Sequence, residues 1–408
     1  MRPRFSALLL VLPFQAACDR PGDGTSPAVV RDSAGVRIVE STAPAWDSAS
    51  AWRVADTPSV VIGREDGAPA ELLYNVRSAA RFPDGRIAVA NAGTNEIRVF
   101  DPAGRHLTTL GRQGDGPGEF RGLAQLWITP GDSLIAYDAI RKQLTTFDPG
   151  GRVAATHPLP VVAGRPGSTL LVGRFADGSV LAKAGAPLAP DAREGLLRQR
   201  AAYGRAALDG SSARAVAELY DGETYVERGD GGVTGYERPF APDAQAAVGP
   251  SAFYHSDGAS YEIRRFTPDG ALQAVIRRRS DPLPVTEEDV RSHREQMLEG
   301  VSGPDRVRLE RFLARVPFPE RKPAHGRMLV DAGGNLWVLQ TRPADDQPFR
   351  WDVFDANGAW LGTVDLPPRV RLLEAGRDYV VVVAYAPETN VEQVRVHRLV
   401  RRRPEPGG

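Results

Sequence analysis

Apolar residues fall along this chain in short runs rich in Val, Ile, Tyr and Phe, among them Ile87-Ala88-Val89, Ile97-Arg98-Val99-Phe100, Leu134-Ile135-Ala136-Tyr137 and Tyr379 to Val383. Short runs of β-branched and aromatic residues predict strands rather than helices. Turn pairs such as Asp84-Gly85, Asp177-Gly178, Asp209-Gly210 and Asn357-Gly358 separate them. Tight hairpins need residues that tolerate positive φ, and Asp-Gly and Asn-Gly pairs supply them. The pattern predicts an all-β chain of short antiparallel strands.

The strands recur at a fixed interval. Ile62-Gly63-Arg64 through Leu72 is echoed by Leu110-Gly111-Arg112 through Phe120, an offset of 48 residues that keeps Gly, Arg, Pro and Glu in place. Phe100-Asp101-Pro102-Ala103-Gly104 is echoed by Phe147-Asp148-Pro149-Gly150-Gly151. Weaker copies follow at Phe175 to Leu181, Tyr261 to Gly270, Val330 to Val338, Trp351 to Gly358 and Glu374 to Val383. The units lie near 74–115, 121–163, 168–220, 245–280, 324–366 and 369–402. Four strands in about 45 residues describe a propeller blade, whose apolar faces are covered only by its neighbours. The expected fold is an all-β, six-bladed β-propeller over residues 35–402. Gly35 to Glu40 is an orphan strand ahead of the first unit. It is expected to pair with the last blade and remove its free edge, with Trp52-Arg53-Val54 as the rival for that place.

One stretch departs from this pattern. Thr286-Glu287-Glu288-Asp289 reads as a capping box opening a helix, and Ser302-Gly303-Pro304-Asp305 opens a second. The spacing predicts a helical insertion over about 286–316, between blades four and five. It reads as a packed surface hairpin, or as a lid over one mouth of the ring or a partner-binding element.

The amino terminus carries an address. Arg2 and Arg4 precede the apolar run Ala7 to Leu12, and small residues Ala16 and Ala17 precede Cys18, the sole cysteine. This is the layout of an export signal over residues 1–18, too short to stay as a membrane span. Cys18 stands where a lipoprotein signal places its lipidated residue, although Gln15 occupies the position where the lipobox has Leu or similar. Cleavage after Ala17 to leave a soluble periplasmic protein is the alternative. Residues 19–34, most clearly Asp19 to Pro27, read as a flexible tether and 403–408 as a disordered tail.

Composition narrows the function classes. Lys plus Arg and Asp plus Glu balance at 51 each, which argues against a general nucleic-acid binder. A single Cys excludes an internal disulfide framework and a Cys-rich metal site. Lys142, Lys183 and Lys322 are the only lysines, so the basic residues are almost all Arg; this reads as coding bias rather than function.

Gly114-Asp115-Gly116-Pro117-Gly118-Glu119-Phe120, with Val99-Phe100-Asp101 before it, resembles the NHL-repeat signature. NHL-type propellers have six blades, which agrees with the count from spacing. More broadly the chain looks like the six-bladed propeller lipoproteins and periplasmic proteins of bacteria. That resemblance implies fold and compartment but no reaction, since propellers host many functions.

No catalytic constellation is predicted. The six His residues form no HxH, HxxxH or HExxH pair; His106, His157 and His397 fall near the rim, and only His255 and His325 at plausible inner positions. No Gly-x-Ser-x-Gly elbow occurs. Gluconolactonase-like propellers hold a divalent metal at the axis through Glu, Asn and Asp, and Asn91, Asn95 and Asp138 stand at comparable places. They form no complete ligand set, and they also suit turns that use side-chain–backbone bonds. No cofactor is predicted; an axial divalent metal belongs to the alternative reading, a metal-dependent, lactonase-like hydrolase or lyase.

With NHL-type geometry, the loops joining second and third strands share one face with the crossings between blades. That face would carry Asn91, Thr94, Asn95, Asp138, Arg141 and Lys142, with Glu119 nearby, and on later blades Gln340, Arg342 and Tyr385. Mixed charge with few aromatics suits a small polar ligand or an envelope protein and is poor for stacking nucleic-acid bases. The expectation is a binding or scaffolding module, held to a membrane through Cys18 and facing the periplasm or the cell surface.

Overall fold

Glycine-closed turns, several of the form Asp-x-x-Gly, end many of the strands. Asp101 Oδ1 accepts the N–H groups of Ala103 and Arg105, both at 2.9 Å, while Gly104 takes φ +84°. Asp355 repeats this with Asn357 and Ala359 around Gly358 (φ +89°). In Thr267-Pro268-Asp269-Gly270 the Thr267 hydroxyl accepts from Ala271 at 3.0 Å. A side chain that satisfies two turn amides makes the reversal local and repeatable.

The structure is a computed structural model that describes residues 27–401 except 48, 163, 165–168, 230–231, 343–347 and 387–390. Residues 1–18, Cys18 among them, and 403–408 lie outside the described residues. Four strands precede the first blade: β1 (Ala28–Ser33), β2 (Val36–Ser41), β3 (Trp52–Val54) and β4 (Val60–Ile62). Blade one is β5 (Val76–Arg81), β6 (Ile87–Asn91), β7 (Glu96–Phe100) and β8 (His106–Leu110). A short parallel pair, β9 (Arg112–Gln113) and β10 (Glu119–Phe120), lies in the crossing to blade two. Blade two is β11 (Leu123–Ile128), β12 (Leu134–Asp138), β13 (Gln143–Phe147) and β14 (Val153–Pro158). Blade three is β15 (Thr169–Arg174), β16 (Val180–Gly185), β17 (Gly195–Ala206), β18 (Arg214–Gly229) and a fifth strand, β19 (Gly232–Glu237). Blade four is β20 (Gln245–Val248), β21 (Phe253–Ser256), β22 (Glu262–Phe266) and β23 (Leu272–Arg278). Helices α1 (Glu287–Leu298) and α2 (Gly303–Arg315) follow, as the capping residues predict; the Thr286 side chain accepts from Asp289 N. Blade five is β24 (His325–Val330), β25 (Leu336–Gln340), β26 (Phe349–Phe354) and β27 (Trp360–Leu366). Blade six is β28 (Val370–Ala375), β29 (Tyr379–Tyr385) and β30 (Glu392–Arg401). Within each blade, strands pair antiparallel in chain order.

Six hydrophobic clusters sit one at each junction between neighbouring sheets. Phe82, Phe120, Leu126 and Phe147 join blades one and two, and Tyr137, Leu144, Leu171 and Val180 join two and three. Tyr203 and Phe253 join three and four; Tyr261, Ile276, Met328 and Phe354 join four and five. Trp337, Trp351, Leu372 and Val380 join five and six, and Val381, Val394, Ile87 and Phe100 join six back to one. The sixth junction closes the ring. A fully buried large side chain contributes about 1.5–3 kcal/mol, so each sheet is stabilised through both faces at once.

The closing strand is not the expected one. β3 pairs with β30 (Trp52↔Arg401, Val54↔Leu399) and β4 continues along it (Val60↔Val396, Ile62↔Val394), so Trp52–Val54 takes the outer place in blade six. Val54 is buried there, and Trp52 lies 5.1 Å from Trp46 and 6.1 Å from Trp337 between ring centroids. The orphan strand, β2, instead lies parallel to β23 on the outer edge of blade four. Its alternation selects that edge: Val39 is 1% exposed beside Ile276, and Glu40 on the other side takes Arg277 Nη1 at 3.0 Å. β1 pairs with β2, so the tether expected over 19–34 gives way to regular structure from Ala28, where β-branched Val29 and Val30 suit a strand.

The third unit is longer than its repeat predicts. Gly195 to Arg200 pairs with Tyr220 to Val226 beyond the end of β16, and β19 adds to that extension through Glu237. Tyr225 and Tyr236 there pack on Phe312, with Leu313 and Val316 completing a small core that docks the helical insertion.

Candidate functional site

Antiparallel meanders put the turns between second and third strands on the same side of the ring as the crossings between blades, here the upper face. Asn91 and Asp138 end β6 and β12, and Gln340 and Tyr385 end β25 and β29, so the face predicted from the repeats exists. What those side chains do on it differs from residue to residue.

Asn91 is fully buried; its Oδ1 accepts from Tyr74 N at 2.7 Å, and its Nδ2 donates to Thr94 Oγ1 at 2.8 Å. Thr94 in turn donates to Glu96 Oε2 at 2.8 Å. Asn95, at φ +55°, reaches the next blade and accepts from Leu123 N at 3.1 Å. Asp138 is buried and takes three backbone N–H groups: Arg121 at 2.7 Å, Ile140 at 2.9 Å and Arg141 at 2.8 Å. Arg141 donates to the carbonyls of Asp115 (2.7 Å) and Glu119 (3.0 Å). Glu119 accepts from Gly116 N and from Arg112 Nε, both at 2.7 Å; those two bonds hold its carboxyl below the ordinary range. Asn95, Glu119, Asp138 and Arg141 are thus brought together, as the fastening of the crossing between blades one and two. Lys142 fastens the next, donating to Thr169 O at 2.6 Å. Gln340 turns inward to Asp352, Arg342 lies over the Phe349 ring at 3.9 Å, and Tyr385 faces solvent.

The structure adds groups that the repeats do not point to. Under the blade-three extension, Lys183 Nζ meets Asp221 Oδ1 at 2.6 Å, with Asp243 close enough to interact electrostatically with both. Asp243 is reached by solvent yet crowded by protein; desolvation first, opposed by Lys183, raises its carboxyl. An adjoining cavity of about 220 Å³ is lined by Tyr220, His255, Ser256, Asp257, Glu262 and Arg264 among others. Burial pushes Tyr220 up to about 12. Lys183 is one of three lysines in an arginine-rich chain, and that rarity was the available signal.

His255 and His325 do occupy inner positions, both buried, and burial lowers both imidazoles. They serve the two neighbouring junctions on either side of blade four: His255 Nε2 lies 2.9 Å from Tyr220 O, and His325 Nε2 2.7 Å from Ser256 Oγ. His397, expected near the rim, is 2% exposed under the closing strand, with Nδ1 2.8 Å from Ala55 O. Among the described residues no three of His, Cys, Asp and Glu are grouped to hold a metal ion. Asp352 is an ionisable group with no exposed surface, set where blades four and five meet. It accepts from Tyr261 OH (2.6 Å), Arg278 Nη1 (2.5 Å), Gln340 Nε2 (2.9 Å) and Thr363 Oγ1 (3.0 Å).

The ring of sheets, its six junctions and its closing strand can be set beside known proteins. A family model, DUF5128, described as a six-bladed β-propeller, matches residues 71–166, the span of the first two blades. This protein is a six-bladed β-propeller. A member of the DUF4221 family from Bacteroides vulgatus matches its structure with a TM-score of 0.51 at 9% identity, over 87% of this chain and 99% of that one. A Bacteroides fragilis protein described as exported reaches 0.46 at 12% identity, over 88% and 99%. A gluconolactonase from Xanthomonas campestris reaches 0.40 at 16%, over 86% and 98%. No curated protein matches the chain. At these identities the likeness is one of fold alone. No helix among the described residues is long and apolar enough to cross a membrane.

Proposed function

We propose that this propeller is exported, carries a lipid anchor on Cys18 and serves the bacterial envelope as a binding or scaffolding module. The address rests on Arg2, Arg4, the apolar run Ala7 to Leu12 and the Ala16-Ala17-Cys18 junction. The binding role rests on one observation about the upper face. Asn91, Asn95, Glu119, Asp138 and Arg141 are engaged in fastening loops and crossings, so that face is a rigid polar platform rather than a set of groups held free for chemistry. A preformed surface loses little freedom on binding. The lactonase-like alternative draws no support from the same residues, because backbone N–H groups occupy the oxygens it needs on Asn91, Asn95 and Asp138. Cys18→Ala should move the protein from the membrane to the soluble fraction; unchanged fractionation would sink the anchor. Pull-down from solubilised envelopes should recover a reproducible partner or small polar ligand. A partner-free protein whose elemental analysis shows a stoichiometric divalent metal would favour the alternative.

A further inference from the structure

The wall of the central channel changes character around the ring. The innermost strands of blades five, six and one each place an arginine in their upper half: Arg327 on β24, Arg371 on β28 and Arg77 on β5. Comparable places on blades two, three and four carry Ala124 and Gln125, Leu170, and Gln245 and Ala246. One half of the mouth is cationic and the other neutral.

The three arginines are linked in sequence around the axis. Arg327 Nη1 donates to Leu372 O in the next blade at 3.1 Å. Arg371, beside Leu372 in the chain, donates to Arg77 O at 3.4 Å and to Val76 O in the blade after that. An innermost strand has no further strand beyond it, so its inward carbonyls are free to accept such bonds. Carboxylates do not balance the charge. Among the described residues no ion pair reaches Arg77, Arg327 or Arg371, whereas Arg86, Arg205 and Arg278 each meet an aspartate. The acids nearby are engaged elsewhere: Glu392 Oε2 takes Val76 N at 2.7 Å, and Glu374 takes Arg81 N at 2.9 Å and Tyr379 OH at 2.5 Å. Arg77 and Arg327 are exposed to solvent, so the cluster is open to a solute. Arg327 is reached by solvent yet crowded by protein within the channel: desolvation first, then the charge of Arg371, lowers its guanidinium.

We infer that the channel mouth between blades five, six and one binds the oxyanion group of a small soluble ligand, a carboxylate or a phosphate. A guanidinium presents N–H pairs that match two oxygens of one such group, and like charges gathered in one place add their attraction for an anion. The neutral half, with Leu170 and Gln245 opposite, would face the remainder of the ligand. The inference rests on the reading of this propeller as a binding module and adds the ligand class.

The test uses the full chain with inorganic phosphate and citrate as probes and glucose as the neutral control, followed by calorimetry and by the melting temperature at low and high chloride. Wild type should bind one anion saturably and more weakly as chloride rises, and the stronger of phosphate and citrate identifies which oxyanion the site fits. Arg77→Gln removes a guanidinium that bonds no described residue, so the unliganded melting temperature should hold while affinity falls about tenfold. Arg327→Lys should keep part of the binding, and Arg327→Gln with Arg371→Gln should abolish it. Absence of anion binding by wild type, or equal binding by Arg77→Gln and the double variant, overturns the site. Envelope partners would still be recovered by pull-down in that case if the binding-module reading holds, so the two ideas fail separately.

Discussion

Asp352→Ala should weaken the junction of blades four and five by about 4 kcal/mol, the middle of the range for stripping one partner from a buried ion pair. The wild-type carboxylate has no exposed surface and takes four side-chain donors, from Tyr261, Arg278, Gln340 and Thr363. Removing it leaves the Tyr261 hydroxyl, itself buried, and the Arg278 guanidinium, 19% exposed, without an acceptor. The individual bonds to a charged group would sum to more, at about 1.5–3 kcal/mol each, but Arg278 can swing further over Trp360, whose ring it already covers at 4.3 Å. Asp352→Asn keeps the shape but turns an amide donor toward other donors, and should cost about half as much. Trp351 and Trp360 flank the site, so urea unfolding followed by Trp fluorescence reads it directly. The decisive arm is the pair Asp352→Ala with Arg278→Met. Removing both charges leaves neither unpaired, so the double variant should be less destabilised than the sum of the singles by about 1.5 kcal/mol or more. A single Asp352→Ala cost below about 1 kcal/mol, or strict additivity with Arg278→Met, would refute this account of the buried charge.

Other consequences are testable in the same protein. Burial holds His255 and His325 below the unfolded value of about 6.5, so the unfolded chain takes up more protons as pH falls; stability should be full above about pH 6.5 and drop below it, and His325→Gln should blunt the drop in urea midpoint between about pH 8 and 5. Trp52→Ala should loosen ring closure by about 3 kcal/mol, seen as faster proteolysis at the seam of blade six; an unchanged cleavage rate would mean β3 does not hold that seam. Phe312→Ala should free the helical insertion while the ring stays folded, measured as rapid hydrogen exchange confined to α1 and α2. Gly270→Ala would place a Cβ 1.9 Å from Val216 O at φ +90°, so its expression or melting temperature should fall well below that of an alanine at open Gly210.

The repeat was legible because its turns are local. Asp101, Asp148 and Asp355 each organise the residues just after them, so six blades could be counted from spacing. The first helix was legible for the same reason, through Thr286 and Asp289. Partnerships across the chain were not legible. β2 lies beside β23 across more than two hundred residues, and a parallel neighbour leaves no turn between the two to announce it. The extension of β17 and β18 was missed because Arg198, Gln199 and Arg200 are consecutive polar residues without strand alternation and look like a loop. On the upper face, position was readable but use was not: Asn91 and Asp138 suit a ligand shell or a turn equally until their amide partners are known. Asp352 gave no signal, since its donors come from Tyr261, Arg278, Gln340 and Thr363 on two blades. The three lysines set aside as survivors of coding bias all have dedicated partners, Thr169 O, Asp221 and Asp289.

The amino-terminal strap has a mechanical consequence. From β1 it runs along blade four, bonds the outer strand of blade five through Ala45 N to Trp360 O (2.9 Å) and Trp46 N to Leu361 O (2.7 Å), and only then reaches blade six. A pull on the chain ahead of Ala28 therefore loads the rim at blade four. Parallel pairing of β2 with β23 sets several bonds against such tension together, instead of letting them break singly. The seam where the last blade meets the first is shielded from that load. A ring pulled from ahead of Ala28 would yield first at its circumference, leaving the axis and the upper face undisturbed.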